Sequence, residues 1–411
     1  MHTRNRKSMG IKVLNLLAAG LLVAALVLGC NTNVSNGGEV QPPTPPVTDG
    51  YTVTMSAGVN GSITANPVIP AGGKVAKDAE ITFTATANPG YRVHTWTITG
   101  GTIQAGGQQG DTTAKVKVIA DTTVNVTFKP IVYTPVAYAD LPNHLTTAQP
   151  ETNGIYYIEV TGLTAPDVKG NILSDSESPL GKILKKNKKK KVALKFGTIS
   201  YGVTDMTKCF NGCTSLVQVS DIPNSVTDMY SCFKGCTKLE RVPNIPDSVT
   251  NMSFCFKGCT KLERVPNIPD SVTNMSYCFG GCTKLEQVPN IPNSVTDMSS
   301  CFYGCTKLER VPNIPDSVTN MDSCFYGCTK LEQVPNIPDG VTDMFCCFNG
   351  CKSLTSVTLK CGYRDGKFNY AFSGCSSLSA DSIKVPADSL DDYKDNADKI
   401  GAKAEWFAKD E

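Results

Sequence analysis

The residues best equipped for chemistry in this 411-residue chain are its cysteines. Cys209 and Cys213 stand four apart, and the spacing returns at Cys232 and Cys236, Cys255 and Cys259, Cys278 and Cys282, Cys301 and Cys305, Cys324 and Cys328, and Cys347 and Cys351. Three chemistries suit such pairs. Zinc takes four ligands in a tetrahedron, and since no His follows His144, only thiolates could serve it here. A disulfide brings Cβ atoms to about 3.8 Å, closer than positions i and i+4 sit on a helical turn, although bonds between adjacent copies are geometrically conceivable. The third is a free thiol packed as a small hydrophobe. The eighth copy, Ala371-Phe372-Ser373-Gly374-Cys375, favours this reading, because Ala371 fills the first Cys position. Cys346 and Cys361 fall outside the pattern and are the thiols expected to react or bond. No metal and no cofactor is expected.

Catalysis finds no footing beside the thiols. There is no nucleophile and His pair, no phosphate-cradling Gly loop and no unique pair of carboxylates, and acids repeated in every unit do not build one asymmetric site. An enzyme is not expected. A net charge of +2 gives no reason to expect nucleic acid. The densest charge, Lys185-Lys186-Asn187-Lys188-Lys189-Lys190-Lys191, could meet sulfated glycans or anionic lipid, but a solvated loop is the plainer reading. His94, beside Trp96, reads as packing or surface.

The elements that position these thiols are copies of one unit. The first Cys recurs every 23 residues from Cys209 to Cys347, and the eighth copy follows after 24. A Leu lies three residues beyond each full copy (Leu216, Leu239, Leu262, Leu285, Leu308, Leu331, Leu354), then Val, Ile-Pro and Ser-Val-Thr-x-Met. A period in the 20s with Leu and Ile at fixed offsets is the signature of a leucine-rich-repeat array, whose units bury their apolar faces only by stacking. At a strand spacing of about 4.8 Å, eight turns would span of the order of 40 Å. Phe, Cys, Leu, Val, Ile and Met would form the inner columns. Pro243, Pro266, Pro289, Pro312 and Pro335 lack an N–H, so any stacked strand must be short or avoid them.

Over roughly residues 195–390 the repeats resemble the BspA-like leucine-rich-repeat proteins, whose units carry Ala-Phe-x-x-Cys-x-x-Leu. Cys replaces Ala in seven of eight copies, and the Val-Pro-Asn-Ile-Pro segment is longer and richer in proline. The resemblance implies an adhesin-like role, with matrix proteins or other cells as partners.

Ahead of the repeats, Tyr51 to Met55, Ile81 to Ala85, Val93 to Ile98, Lys115 to Ile119 and Val124 to Phe128 alternate apolar and polar residues, the period of half-buried strands. With turns at Asn60-Gly61 and Asn88-Pro89-Gly90, they predict a small β-sandwich over 51–130. Gly90-Tyr91, Trp96 and the closing run Asp121 to Phe128 resemble the divergent internalin-B-type repeat domain, which implies a spacer or weak contact module. Residues 131–200, with strand-like Ile155 to Val160 and Val192 to Phe196, read as linker and N-terminal cap of the solenoid at 201–385. Leu390, Tyr393, Ala397 and Ile400 recur at helical spacing, so 386–411 is expected to be a helical cap. The fold class is therefore mixed but mainly β, a small sandwich followed by a capped solenoid.

Residues 1–29 have the basic and then apolar layout of an export signal, and Val27-Leu28-Gly29-Cys30 resembles the lipobox of bacterial lipoproteins. Lipidation at Cys30 would tether the chain without spanning the membrane, at about 0.8 kcal/mol per buried methylene. Residues 30–50, with Pro42-Pro43-Thr44-Pro45-Pro46, then form a stalk. An extracytoplasmic place at the outer membrane or cell surface follows.

Binding is expected where repeats differ. Tyr230, Phe254, Tyr277 and Phe345 precede the Cys motif, and Tyr303 and Tyr326 sit inside it. Aromatics at such variable positions either line a protein or glycan contact or lie flat against neighbouring turns. The reading is a monomeric, lipid-anchored surface protein binding a host or bacterial surface protein or glycan. The second reading is a passive coat protein.

Overall fold

The computed structural model describes residues 50–88, 90–197, 202–242 and 244–410. The signal peptide, Cys30 and the proline-rich stalk expected before them lie outside the described residues. The chain is mainly β, and no helix among the described residues is long and apolar enough to cross a membrane.

The first region contains β1 (Tyr51–Ala57), β2 (Gly61–Asn66), β3 (Lys74–Val75), β4 (Glu80–Ala87), β5 (Tyr91–Gly106) and β6 (Thr113–Pro130). These are hydrogen-bonded into one six-stranded sheet, because β6 is long enough to serve two partners on one edge. Its first half pairs antiparallel with β4 and its second half runs parallel to β1, while β5 follows the other edge throughout. The strands expected to form a sandwich are thus joined in a single hydrogen-bonded sheet. Val53, Ile81, Phe83, Val116 and Val124 share its apolar cluster, as the period of two in each strand requires.

Four parallel strands come next in the order β10, β9, β8, β7: β7 (Thr134–Ala137), β8 (Ile155–Thr161), β9 (Lys191–Phe196) and β10 (Leu216–Ser220). Three short helices, α1 (Leu141–Thr147), α2 (Ala165–Val168) and α3 (Pro179–Lys186), lie between them. The last strand belongs to the first repeat, so one sheet carries the chain into the array.

Within the array, the N–H groups of Lys208, Phe210 and Gly212 donate to the carbonyls of Tyr230, Cys232 and Lys234 one turn later, at 2.8, 2.8 and 2.7 Å. The register is kept by Ser231, Phe233 and Gly235 on Ser253, Cys255 and Lys257. The inter-turn ladder therefore runs through the Met-x-x-Cys-Phe-x-Gly segment. Its Gly takes positive φ, as Gly235 does at 72°, which an ordinary side chain resists. The proline segment behaves differently. Among the described residues, regular strands occur at β10, at β11 (Val357–Thr358) and, in the last copy, at β12 (Ile383–Val385), where Ser220, Thr358 and Lys384 stand in the place of the repeat proline, whereas from β10 to β11 there are isolated bridges such as Arg310 to Gln333. Proline supplies no N–H to a ladder, so the sheet fails where it recurs.

Phe210, Phe233, Phe256, Phe279, Phe302, Phe325, Phe348 and Phe372 form one buried stack with centroids 5.4–5.8 Å apart. All seventeen cysteines from Cys209 to Cys375 are free thiols, and every one except Cys346 is buried. Cys361, expected to be reactive, is instead packed 3.9 Å from the Tyr393 hydroxyl, since the C-terminal segment folds back over it.

The ladder has a direction, and the two caps complement it. Its first turn has spare carbonyls, and Gly170 N–H bonds Thr207 at 2.7 Å while the buried Ser178 hydroxyl bonds Cys209 at 2.8 Å. Gly181 makes this approach possible, since a Cβ there would lie 2.2 Å from the Cys209 oxygen. Its last turn has spare donors, and Tyr370 and Phe372 N–H reach the carbonyls of Lys399 and Ile400 at 2.8 and 3.0 Å. Satisfying both ends removes the cost of unpaired buried backbone. The C-terminal cap is not one amphipathic helix but α4 (Leu390–Asp395) and α5 (Ala397–Ile400), broken at Asn396 and stopped by Gly401. A strand follows the helices: β13 (Phe407–Lys409) pairs parallel with β12 (Ile383–Val385), and Phe407 stacks on Tyr393 at 5.4 Å.

Candidate binding face

Three residue columns flank the inter-turn ladder and hold the predicted site residues. The position just before the Cys-Phe pair is left-handed in every copy, with φ between 52° and 61° from Lys208 through Ser231, Phe254, Tyr277, Ser300, Ser323 and Cys346 to Tyr370. A left-handed non-glycine residue costs about 1–2 kcal/mol, and bulky ones are the rarest there. The repeat backbone imposes the conformation, yet Phe254, Tyr277 and Tyr370 place aromatic rings on it.

The structure joins the predicted residues in three groups. Phe254 and Tyr277 stack at 4.6 Å with planes 8° apart, and Tyr230 leans on Phe254 at 5.7 Å. Tyr303 and Tyr326 stack at 4.8 Å. Phe345 meets Tyr370 edge to face at 5.9 Å. Tyr303, Phe345 and Tyr370 are 42%, 38% and 53% exposed, and the others are half-buried. The rings thus lie against those of neighbouring turns, while Tyr303, Phe345 and Tyr370 stay exposed.

Two participants escaped the sequence reading. Tyr370 follows the one 24-residue step, which hid its place in the column of Phe254 and Tyr277. Lys257 lies 5.2 Å from the Phe254 ring centroid and 4.2 Å from that of Tyr277. Burial against the rings, with Lys234 nearby, lowers its ammonium pKa from the usual lysine value. Its column reads Asn211, Lys234, Lys257, Gly280, Tyr303, Tyr326, Asn349, Ser373, so variability was the available signal.

Elsewhere the sequence's candidates do structural work. Lys284 pairs with Glu263 at 3.0 Å and Lys307 with Glu286 at 3.7 Å, exposed pairs worth about 0–1 kcal/mol each. In the lysine run, Lys185 and Lys186 occupy the last turn of α3, where the helix's negative end favours cations. Lys185 also bonds Glu177 at 3.0 Å, and Lys190 sits 4.6 Å over Tyr156. His94 Nδ1 lies 3.4 Å from the Gln109 amide. No group of three or more His, Cys, Asp or Glu among the described residues is placed to hold a metal ion.

Comparison with known proteins fits this architecture. A family model described as BspA type leucine rich repeat region matches residues 193–309 and 298–397, and one described as divergent InlB B-repeat domain matches 51–132. No catalytic family is among the matches, and no curated protein matches the chain. Among solved structures, a leucine-rich-repeat protein of T. pallidum is 28% identical, covering 53% of this chain and 87% of its own, with a TM-score of 0.35. A leucine-rich-repeat protein of Bacteroides ovatus is 19% identical over 55% and 85%, with a TM-score of 0.21. A leucine-rich cell surface protein of Faecalibacterium prausnitzii is 17% identical over 63% and 84%, with a TM-score of 0.25. By its repeats at residues 193–397 the chain belongs to the BspA-type leucine-rich-repeat family, and it carries a divergent InlB B-repeat domain at 51–132.

Proposed function

We propose that this chain is a lipid-anchored surface protein that binds other proteins through the aromatic face of its repeats. The observation that carries the reading is the set of ring pairs Phe254 with Tyr277 and Tyr303 with Tyr326, held on a regular backbone with Lys257 across one of them. Rings already locked by stacking lose little freedom on binding, and Tyr and Trp dominate protein hot spots for that reason. A sugar would need an open ring face, which mutual stacking largely removes, so a protein partner suits this face better. The BspA-type family membership and the lipobox-like Val27 to Cys30 support the surface location.

Binding of the lipidated full chain to a panel of matrix proteins and to whole bacterial cells tests this. Replacing both Tyr303 and Tyr326 with Ser is expected to weaken binding about tenfold or more, since a hot-spot residue contributes about 2 kcal/mol. Unchanged binding by a normally folded double variant overturns the aromatic face. Cys30→Ala should release the protein from the detergent phase, and retention there would overturn the lipid anchor.

A further inference from the structure

A second feature runs along the same array and uses none of the aromatic residues. From Asn244 to Asn336, the Asn-Ile-Pro segments of five successive copies line an open groove of about 1450 Å³. Ile268, Ile291 and Ile314, only 5–6% exposed, and the buried prolines that follow them close it from beneath, so most of the surface it exposes is polar. Asn267, Asn290 and Asn313 line it as exposed residues, together with Asp270 and Asp316. Among the described residues, no hydrogen bond within the chain engages the amides of these three asparagines, whereas Asn251 uses its amide on Asp228 at 3.2 Å. The groove asparagines have no part in holding the turns together.

The chemistry of this lining is specific. A primary amide offers a donor and an acceptor side by side, and a carboxylate offers two acceptors. Either group spans the neighbouring hydroxyls of a pyranose. Spacing narrows the ligand further. Equivalent stacked rings of successive turns lie 4.6–5.8 Å apart, which brackets the length of one residue in an extended, equatorially linked pyranose chain. An extended peptide repeats its side-chain pattern every 6.4–6.8 Å or so, longer than any of these spacings. Asp270 and Asp316 repel polyanions such as sulfated chains.

We propose that this groove binds a linear, neutral polysaccharide with one sugar residue per repeat turn. The site is separate from the aromatic face, and so is its failure.

The test is calorimetric titration of the full chain with β-1,4-linked gluco-, manno- and xylo-oligosaccharides of graded length. Affinity for at least one series is expected to climb with each residue up to the five turns of the groove and then level off. The triple variant Asn267→Ala, Asn290→Ala, Asn313→Ala should lose about tenfold or more in affinity, equivalent to roughly 1.4 kcal/mol, with an unchanged melting temperature. Asn290→Trp, which fills the middle of the groove, should lose binding as well. The Tyr303→Ser, Tyr326→Ser variant should retain it. Absence of binding by all three series, affinity independent of length, wild-type affinity in the triple variant, or preference for heparin or for an extended peptide would each overturn the proposal.

Discussion

The Sγ of Cys259 lies 3.1 Å from the carbonyl oxygen of Phe233 one turn earlier, and Cys282, Cys305 and Cys328 repeat the contact on Phe256, Phe279 and Phe302. The second thiol of each pair is thus a small core side chain that also donates S–H to the backbone of its neighbour. Among the described residues, the first thiol makes no such bond, which accords with Ala371 standing in its place in the last copy.

The two columns should therefore respond differently to truncation. Cys255→Ala should cost less than about 1 kcal/mol, and Cys259→Ala about 1–2 kcal/mol, because it removes a hydrogen bond as well as volume. Urea unfolding of both variants under reducing conditions measures the difference. Equal costs would remove the S–H bond from the account.

Burial pushes Cys282 and Cys328 up to about 12 and Cys361 to about 11, well above the usual cysteine value. The folded state thereby prefers the neutral thiol. The stabilisation is complete below the unfolded-state value of about 8.5 and is lost as pH rises from there toward the folded values, by about 1.4 kcal/mol per unit for each thiol. Melting temperature in the presence of reductant should hold from pH 7 to about 8.5 and then fall steeply. A flat profile to pH 10.5 or so would contradict the buried-thiol core.

Among the described cysteines, Cys346 is the partly exposed one. Since alkylation needs both thiolate and access, brief iodoacetamide treatment of the folded protein should label Cys346 first. Peptide mass spectrometry showing Cys282 or Cys328 modified as fast would mean that the array opens readily.

Ser300 is buried and left-handed at φ 53°. Ser300→Gly should raise stability by about 0.5–1 kcal/mol, because glycine takes this conformation without a Cβ clash. Tyr277→Gly gains the same relief but loses the stack on Phe254 and the contact with Lys257, so its net effect should be smaller or opposite. Thermal denaturation of the two variants decides, and a destabilised Ser300→Gly would show that the hydroxyl, not the backbone, sets this position.

Removing residues 388–411 takes away the carbonyls that receive Tyr370 and Phe372 and uncovers the last ring of the phenylalanine stack. The truncated chain is expected to aggregate, as judged by size-exclusion chromatography. A soluble monomer of that length would refute the capping role.

Much of the fold was legible because repetition exposes it. In a 23-residue unit, positions that stay Phe, Cys, Leu or Met while others change are those that meet their own copies in the stack, and Phe233 on Phe256 at 5.4 Å is what that identity means in space. The proline argument was legible too, since a missing N–H follows from residue type alone, and β10 and β11 appear where Ser220 and Thr358 spare it. The candidate face was half legible: Tyr303 and Tyr326 stand out as variable, whereas nothing in the residue pattern places the Lys257 ammonium against two rings. The groove asparagines are constant from copy to copy, so variability does not mark them, and exposure without an internal partner among the described residues sets them apart.

The sequence by itself determined the period, the composition of the inner columns and the need for caps, because each depends on which residue types tolerate burial beside copies of themselves. Only the tertiary structure decided which backbone segment carries the ladder, that Ser178 and Ile400 close its two ends, and that the aromatic rings spend their faces on one another. Those outcomes depend on distances between residues 22 or more positions apart, which a one-dimensional pattern of residue types does not contain.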